Sequence, residues 1–379
     1  MMYICMYGFS GQNTNIWLEY FKDHPKHKVT FITPRLLKQT LKPAENISII
    51  SLGDGKYSSR ILASMYYRYM RMITRIKISA RNYDLFILHG LYNWRDSIIF
   101  FGSVNARKKI VLLWNDTNHV RILQNIKSNT AREMLTVLEK ADNIYPTWDV
   151  TRKSFLQSFP HLSQKTKTRP WGVRKDLFVE PSTDISKINR ELMATLSRGK
   201  VFMFWPRSIH KNIRHDILLQ SIKLVSEEIS LVSFLAMGRM QSTLWSRKII
   251  KQLHSLENST EVFAEYSKHL PLEDIIPLYN RADLMVNLAD TDQLSSCILE
   301  AFLSRTRIVL SNIPAYQELL LLGFHVTLTE NTPESVASAI KKVVSSLGTE
   351  ESEELIENNR MLVLNKYNVD NNITKIIDV

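Results

Sequence analysis

Asp292 and Glu300 stand eight positions apart in the stretch TDQLSSCILEA, and between them two consecutive serines, Ser295 and Ser296, precede an apolar segment. The surrounding pattern is strand, loop, helix, strand: an apolar run at 284–288, small and acidic residues, the segment after the serines, and a second strand-like run at 307–310. A helix starting near Ser295 turns its first backbone N–H groups, which have no partner inside the helix, toward whatever the loop holds. The result is an anion site with a carboxylate on either side. Such a site suits a ligand that carries both phosphates and hydroxyls.

Positioning that loop requires a parallel sheet with the loop at its carboxyl edge, and the chain supplies the strands and helices for two of them. Strand-like runs fall at 3–7, 29–32, 47–50, 85–88, 110–114 and 143–145, and again at 200–205, 231–237, 261–264, 284–288 and 307–310. With 379 residues, 44% apolar and 23% charged, the chain has the length for two domains with their own cores and the composition of a globular protein. The expected division is 1–180, 181–360 with a connection at 180–198, and a segment 361–379. Cys5 and Cys297 are the only cysteines, which excludes a disulfide framework and fits a reducing compartment. No apolar stretch is long enough to span a bilayer and the start lacks the features of a secretory signal, so the expected location is cytoplasmic.

The formal net charge of +12 is confined to the first half, where residues 1–180 hold 28 Lys and Arg against 13 Asp and Glu while the remainder holds 21 against 24. That asymmetry suits an acidic partner or an anionic surface; lipid head groups, an acidic glycan and nucleic acid all meet it. Residues 56–81 concentrate it, with seven basic residues and no acidic one. Arg60, Arg68, Arg71 and Arg75 share a helical face, and Ile61, Met65, Tyr69, Met72 and Ile76 form the adjoining apolar stripe. A basic amphipathic helix with aromatics is built for an anionic membrane surface, and a core-facing helix with a solvated basic face fits the same pattern. The charge of the whole half favours a peripheral membrane contact through 56–81.

Asp292, seven intervening residues, Glu300 and Ala301, framed by RADLMVNLAD and TRIVLSNIPAYQELL, resemble the donor-binding signature of the large retaining GT4-like group of GT-B glycosyltransferases, glycosyl transferases group 1. The resemblance implies an α/β fold of two Rossmann-like domains with parallel sheets facing across a cleft. It implies that Glu300, as a fixed ionised carboxylate, accepts from two ribose hydroxyls. Asp292, where the group more often has Glu, would hold a hydroxyl of the transferred sugar or stabilise charge on its ring carbon, and the backbone N–H groups of Leu294 and Ser295 would bind phosphate. Arg207 and Lys211 match the two cations that reach the donor diphosphate, with Pro206 in place of the group's glycine. Fixed cations there stabilise a departing nucleoside diphosphate more than the ground state, and basic residues at a helix start oppose the helix dipole unless an anion is bound.

In the first half, Gly8 and Gly11 look like the glycine-bearing loop that approaches donor and acceptor; the third glycine of a dinucleotide fingerprint is missing. The group's histidine and acid after the strand 110–114 are represented by Asn115 and Asp116, and an asparagine can position a sugar hydroxyl but cannot relay a proton. His89 and His119 are further strand-end candidates. Trp171, Gly172 and Val173 resemble the segment before the interdomain linker, residues 262–266 the base pocket, and the last helix one that crosses back to the first domain.

The implied activity is transfer of a sugar from a nucleotide-sugar donor to a hydroxyl of a glycan or lipid-linked acceptor. Configuration is retained, the donor phosphate takes the acceptor proton, and neither cofactor nor metal is required; no His cluster at metal spacing stands out. A sugar-nucleotide epimerase or hydrolase of the same fold is the nearest alternative. A phosphorylase needs a pyridoxal lysine and a longer chain. A nonenzymatic nucleic-acid-binding protein would use the basic half, but would leave Arg207, Lys211, Asp292 and Glu300 without a purpose.

Overall fold

Strands covered on both faces have no polar side, and unbroken apolar runs such as ICMY in the first and LMV in the second form the two all-parallel sheets found among the described residues. The computed structural model describes residues 1–9, 12–35, 44–53, 59–91, 93–113, 128–174, 201–229, 231–237, 244–257, 266–268 and 272–378. The chain divides into two compact units, residues 1–171 with 369–379, and residues 172–368. The connection expected at 180–198 lies outside the described residues.

The first unit runs β1 (Tyr3–Gly8), α1 (Gln12–Asp23), β2 (Lys28–Arg35), β3 (Ile47–Gly53), α2 (Arg60–Ser79), β4 (Asn82–His89), α3 (Trp94–Ser103), β5 (Asn105–Leu113), α4 (Asn129–Lys140), β6 (Asn143–Pro146) and α5 (Asp149–Ser158). Its strand order is β3-β2-β1-β4-β5-β6, the doubly wound arrangement, so winding reverses between β1 and β4. On one sheet face Tyr7, Phe86, Leu88 and Val111 pack under Phe100, Leu138 and Phe155. On the other, Met6, Phe31 and Ile87 lie under Trp17 and Phe21 of α1. Gly8 ends β1 opposite His89, and a Cβ at Gly8 would stand 2.8 Å from the His89 Cβ, so the two strands approach this closely only without a side chain there.

The sequence reading of α2 needs one correction. Arg71 does not join a solvated basic row: its side chain is 18% exposed and its Nη1 lies 3.1 Å from Oδ1 of Asp96, a carboxylate in the first turn of α3 that is 1% exposed. Asp96 Oδ2 also accepts from the Tyr67 hydroxyl and, at 2.7 Å, from Asn93 Nδ2. A buried carboxylate is tolerable only with such partners, and here they fasten α2 to α3. The positions expected at 56–58 lie outside the described residues.

The second unit runs β7 (Val201–Trp205), α6 (His215–Ser226), β8 (Leu231–Met237), α7 (Leu244–Glu257), β9 (Tyr266–Lys268), α8 (Leu272–Arg281), β10 (Leu284–Asn287), α9 (Ser296–Leu303), β11 (Arg307–Ser311), α10 (Pro314–Leu321), β12 (Thr327–Thr329), α11 (Pro333–Ser345) and α12 (Glu350–Lys366). The order β12-β11-β10-β7-β8-β9 repeats the topology of the first sheet, with winding reversed between β7 and β10. Met203, Trp205, Leu284, Val286 and Val309 carry one core face against Ile222 of α6 and Ile340 of α11. Thr332 and Thr349 cap α11 and α12 by accepting from Ser335 N and Ser352 N, worth about 1 kcal/mol each. Gly172 takes φ +87°, where a Cβ would meet the Tyr367 carbonyl oxygen at 1.9 Å, and the next residue, Val173, donates its N–H to that carbonyl at 2.9 Å. The helix α13 (Val369–Ile377) belongs to the first unit, where Ile373 and Ile376 complete the core over Trp17 and the Tyr20 hydroxyl lies 2.8 Å from Thr374 Oγ1.

Candidate functional site

In an open doubly wound sheet the crevice for a ligand forms where neighbouring strands send their connections to opposite faces. In the second unit those strands are β7 and β10, paired Met203 to Leu284 and Phe204 to Met285. Arg207 follows β7 by two residues, and Asp292 lies in the loop between β10 and α9. The topology therefore brings together residues 85 positions apart in sequence.

Both loops are fastened. Asp290 N donates to Asn212 O at 3.0 Å, Asn212 Nδ2 donates to the Thr291 carbonyl, and Arg214 bridges Asp216 at 3.2 Å and Asp290 at 3.0 Å. Behind them Ala289 N donates to Ser311 Oγ at 2.8 Å, Ser311 Oγ to Asn331 Oδ1 at 2.6 Å, and Asn331 Nδ2 to Ala289 O at 3.1 Å. Backbone held this way positions its side chains before any ligand arrives.

Arg207 and Asp292 form an ion pair, Nη1 to Oδ2 at 3.0 Å, with side-chain exposures of 19% and 11%. Asp292 Oδ2 accepts a second hydrogen bond from the Tyr316 hydroxyl at 2.7 Å, and that hydroxyl accepts from Asn287 Nδ2 at 2.8 Å. Burial works against the charge on Arg207, but Asp292, with Cys297 and Tyr316 beside it, outweighs that and raises its pKa. Burial first, then the Asp292 charge, pushes the Tyr316 phenol well up, so this hydroxyl stays a donor. The network is a fixed cation and a fixed carboxylate side by side, able to meet a phosphate and a hydroxyl of one ligand.

Helix α9 starts at Ser296 with Ser295 as its N-cap, in extended conformation (φ −72°, ψ 143°) and with no side-chain cap bond. The Ser295 hydroxyl instead receives the Cys297 thiol at 3.0 Å. Burial raises the Cys297 thiol pKa, against the pull of Arg207 and of Ser295. Leu294 is 6% exposed. Glu300, one turn into α9, is 4% exposed, and burial lifts its carboxyl from 4.5 to about 7 against the opposing effect of the Tyr279 and Ser296 hydroxyls. The Tyr279 hydroxyl sits near the carboxyl without meeting the geometry of a formed hydrogen bond. Burial thus works against the ionised form of this carboxyl in the free chain.

Lys211 is exposed and makes no ion pair among the described residues. In the first unit Gly8 is buried against His89, which packs edge-on to Trp17 at 5.8 Å and against Trp171 at 5.7 Å. Burial pushes the His89 imidazole down to about 3, so it is a neutral core group rather than a surface base. Gly11, Asn115, Asp116, His119 and the base-pocket segment 262–265 lie outside the described residues. Sequence reasoning missed Asn287, Tyr316 and Cys297. Asn287 left a signal, as the polar last residue of the otherwise apolar strand LMVN; Tyr316 left none. Among the described residues no group of three or more His, Cys, Asp or Glu side chains is arranged to hold a metal ion.

Two doubly wound parallel units in one chain define the GT-B class of architecture. Residues 199–346 match the sequence model of the family described as glycosyl transferases group 1, which relates the second unit to that family. The fold is similar over the full length of both chains to the Anabaena protein HepE in complex with UDP-glucose, with TM-score 0.75 at 15% identity. It is also similar to sucrose-phosphate synthase from Thermosynechococcus elongatus, with TM-score 0.76 at 12% identity over 99% of this chain and 97% of that one. WaaG, a glycosyltransferase involved in lipopolysaccharide biosynthesis, is similar with TM-score 0.71 at 12% identity over 100% of this chain and 99% of that one. At these identities the likeness establishes the fold. No curated protein sequence matches the chain.

Proposed function

We propose that this chain is a retaining glycosyltransferase that moves a sugar from a nucleotide-sugar donor to a hydroxyl of a glycan or lipid-linked acceptor. The observation that carries the reading is the Asn287–Tyr316–Asp292–Arg207 network at the β7/β10 crevice, with Glu300 on the adjoining helix. A diphosphate at the uncapped start of α9 would engage the remaining N–H groups of Arg207, and Lys211, exposed and without an ion pair among the described residues, has an ammonium to add. Asp292, kept in place by Tyr316, would then accept from a sugar hydroxyl, and Glu300 from the ribose. In the transfer the bond from the sugar's anomeric carbon to the phosphate oxygen breaks, a bond to the acceptor oxygen forms on the same face, and the acceptor proton passes to the leaving phosphate. Arg207 stabilises the charge that builds on that phosphate, and this difference from the ground state is what accelerates the step.

The test is calorimetric titration of the protein with UDP-, GDP-, ADP- and dTDP-sugars, beginning with UDP-glucose because the similar HepE structure holds it. Selective binding of one donor, lost in Arg207→Ala, and an axial-to-axial product by NMR support the reading. Binding of none by folded protein, or an inverted product, refutes it.

A further inference from the structure

Helix α2 has two apolar faces, and one of them is bare. Ile61, Leu62, Met65, Tyr69, Met72 and Ile76 are each more than half exposed, and they make up six of the thirteen large apolar side chains exposed among the described residues. At about 100° per residue these six occupy an arc of roughly 100° on the helix surface. The opposite side carries Tyr67 and Met70, which pack on the core, and the buried Thr74 and Ile78. Core burial therefore does not explain the outer arc, and a solvated face would be polar.

The rims of the arc supply the second observation. Arg68 and Arg75 border one edge and Lys77 the other, all three exposed, and the helix contains no acidic residue. A second copy docking through the same face would bring these like-charged rims together. A surface of anionic head groups over acyl chains meets both features, the cations at the level of the phosphates and the apolar arc below it. The Arg71–Asp96 pair and the bonds from Tyr67 and Asn93 brace the helix from behind, so the arc is presented without a folding step.

We propose that α2 is an in-plane anchor that seats the first unit on an anionic lipid surface. The inference stands apart from the sugar-transfer reading, because neither donor nor acceptor enters its test. The full chain is sedimented with vesicles of phosphatidylcholine alone and with vesicles containing about 30% phosphatidylglycerol, whose negative surface potential attracts basic segments. Binding to the anionic vesicles only is expected. The double change Met65→Gln with Met72→Gln, both at exposed positions and checked by thermal unfolding, should lower the partition coefficient about tenfold or more through lost apolar insertion. Arg68→Gln with Arg75→Gln should lower it on the order of 30-fold, about fivefold per cation near the surface. Absence of vesicle binding, binding that the methionine changes leave intact, or a dimer in sedimentation equilibrium that those changes dissociate would each overturn the proposal.

Discussion

In the proposed donor site Glu300 makes binding a proton-coupled event. Its carboxyl, 4% exposed and lifted to about 7, is half protonated at neutral pH in the free chain. Two ribose hydroxyls donating to it would favour the ionised form and pull its pKa down on binding. Donor affinity should then be constant above pH 8 and weaken below pH 7. From the fraction ionised, about 90% at pH 8 and about 3% at pH 5.5, the loss is roughly 30-fold, about 2 kcal/mol. Near pH 7 each binding event should release about half a proton, which calorimetry in two buffers of different ionisation enthalpy counts directly. Folding shows the opposite side of the same linkage. Because the folded-state pKa is raised, the stability this group contributes is complete below pH 4.5 and is lost as pH rises through about 7. At 1.36 kcal/mol per pH unit, that is on the order of 3 kcal/mol. Glu300→Gln should therefore melt higher than the parent protein at pH 8 while binding donor more weakly and without pH dependence. Flat affinity between pH 5.5 and 8 with no proton released, or the same pH slope in the variant, would refute the reasoning.

Tyr316→Phe removes the donor to Asp292 and leaves Asn287 Nδ2 buried without its acceptor, so urea unfolding should show a loss of about 1–3 kcal/mol, and donor affinity should fall with it. Gly172→Ala forces a Cβ to 1.9 Å from the Tyr367 carbonyl at a φ of +87°, and thermal unfolding should register at least 1–3 kcal/mol of destabilisation from the backbone strain alone.

Much of the fold was legible because strands buried on both faces announce themselves as apolar runs. The run at 284–288 became β10 (Leu284–Asn287), and the helix expected to start near Ser295 begins at Ser296 with Ser295 as its cap. The segment 261–264, expected as a strand, lies outside the described residues, and the described strand there is Tyr266–Lys268. What was not legible depends on partners distant in sequence. Arg71 looked like one more member of a basic row because nothing near it reveals Asp96, 25 positions on and brought close by α3. Tyr316 lies 24 positions from the carboxylate it holds and 29 from Asn287, which donates to it. Glu300 was legible as a carboxylate on the helix that follows the Asp292 loop, but its protonation is set by burial, which no local pattern encodes. The exposure of the α2 stripe was invisible for the same reason: periodicity shows that a helix has an apolar face, and only the fold shows that a different face is turned inward.

The membership of α13 in the first unit bears on how the protein is made. Residues 369–379 complete that unit, yet the 197 residues of the second unit, 172–368, are translated in between. At about 5–20 residues per second, the ribosome spends roughly 10–40 s on that interval. During it the side of α1 that carries Trp17 waits for Ile373 and Ile376, while the second unit has all its own strands and helices and can close first. The unit encoded ahead of the other is thus completed after it, and the nascent chain carries an open apolar seam that a chaperone can hold until synthesis brings α13 to it.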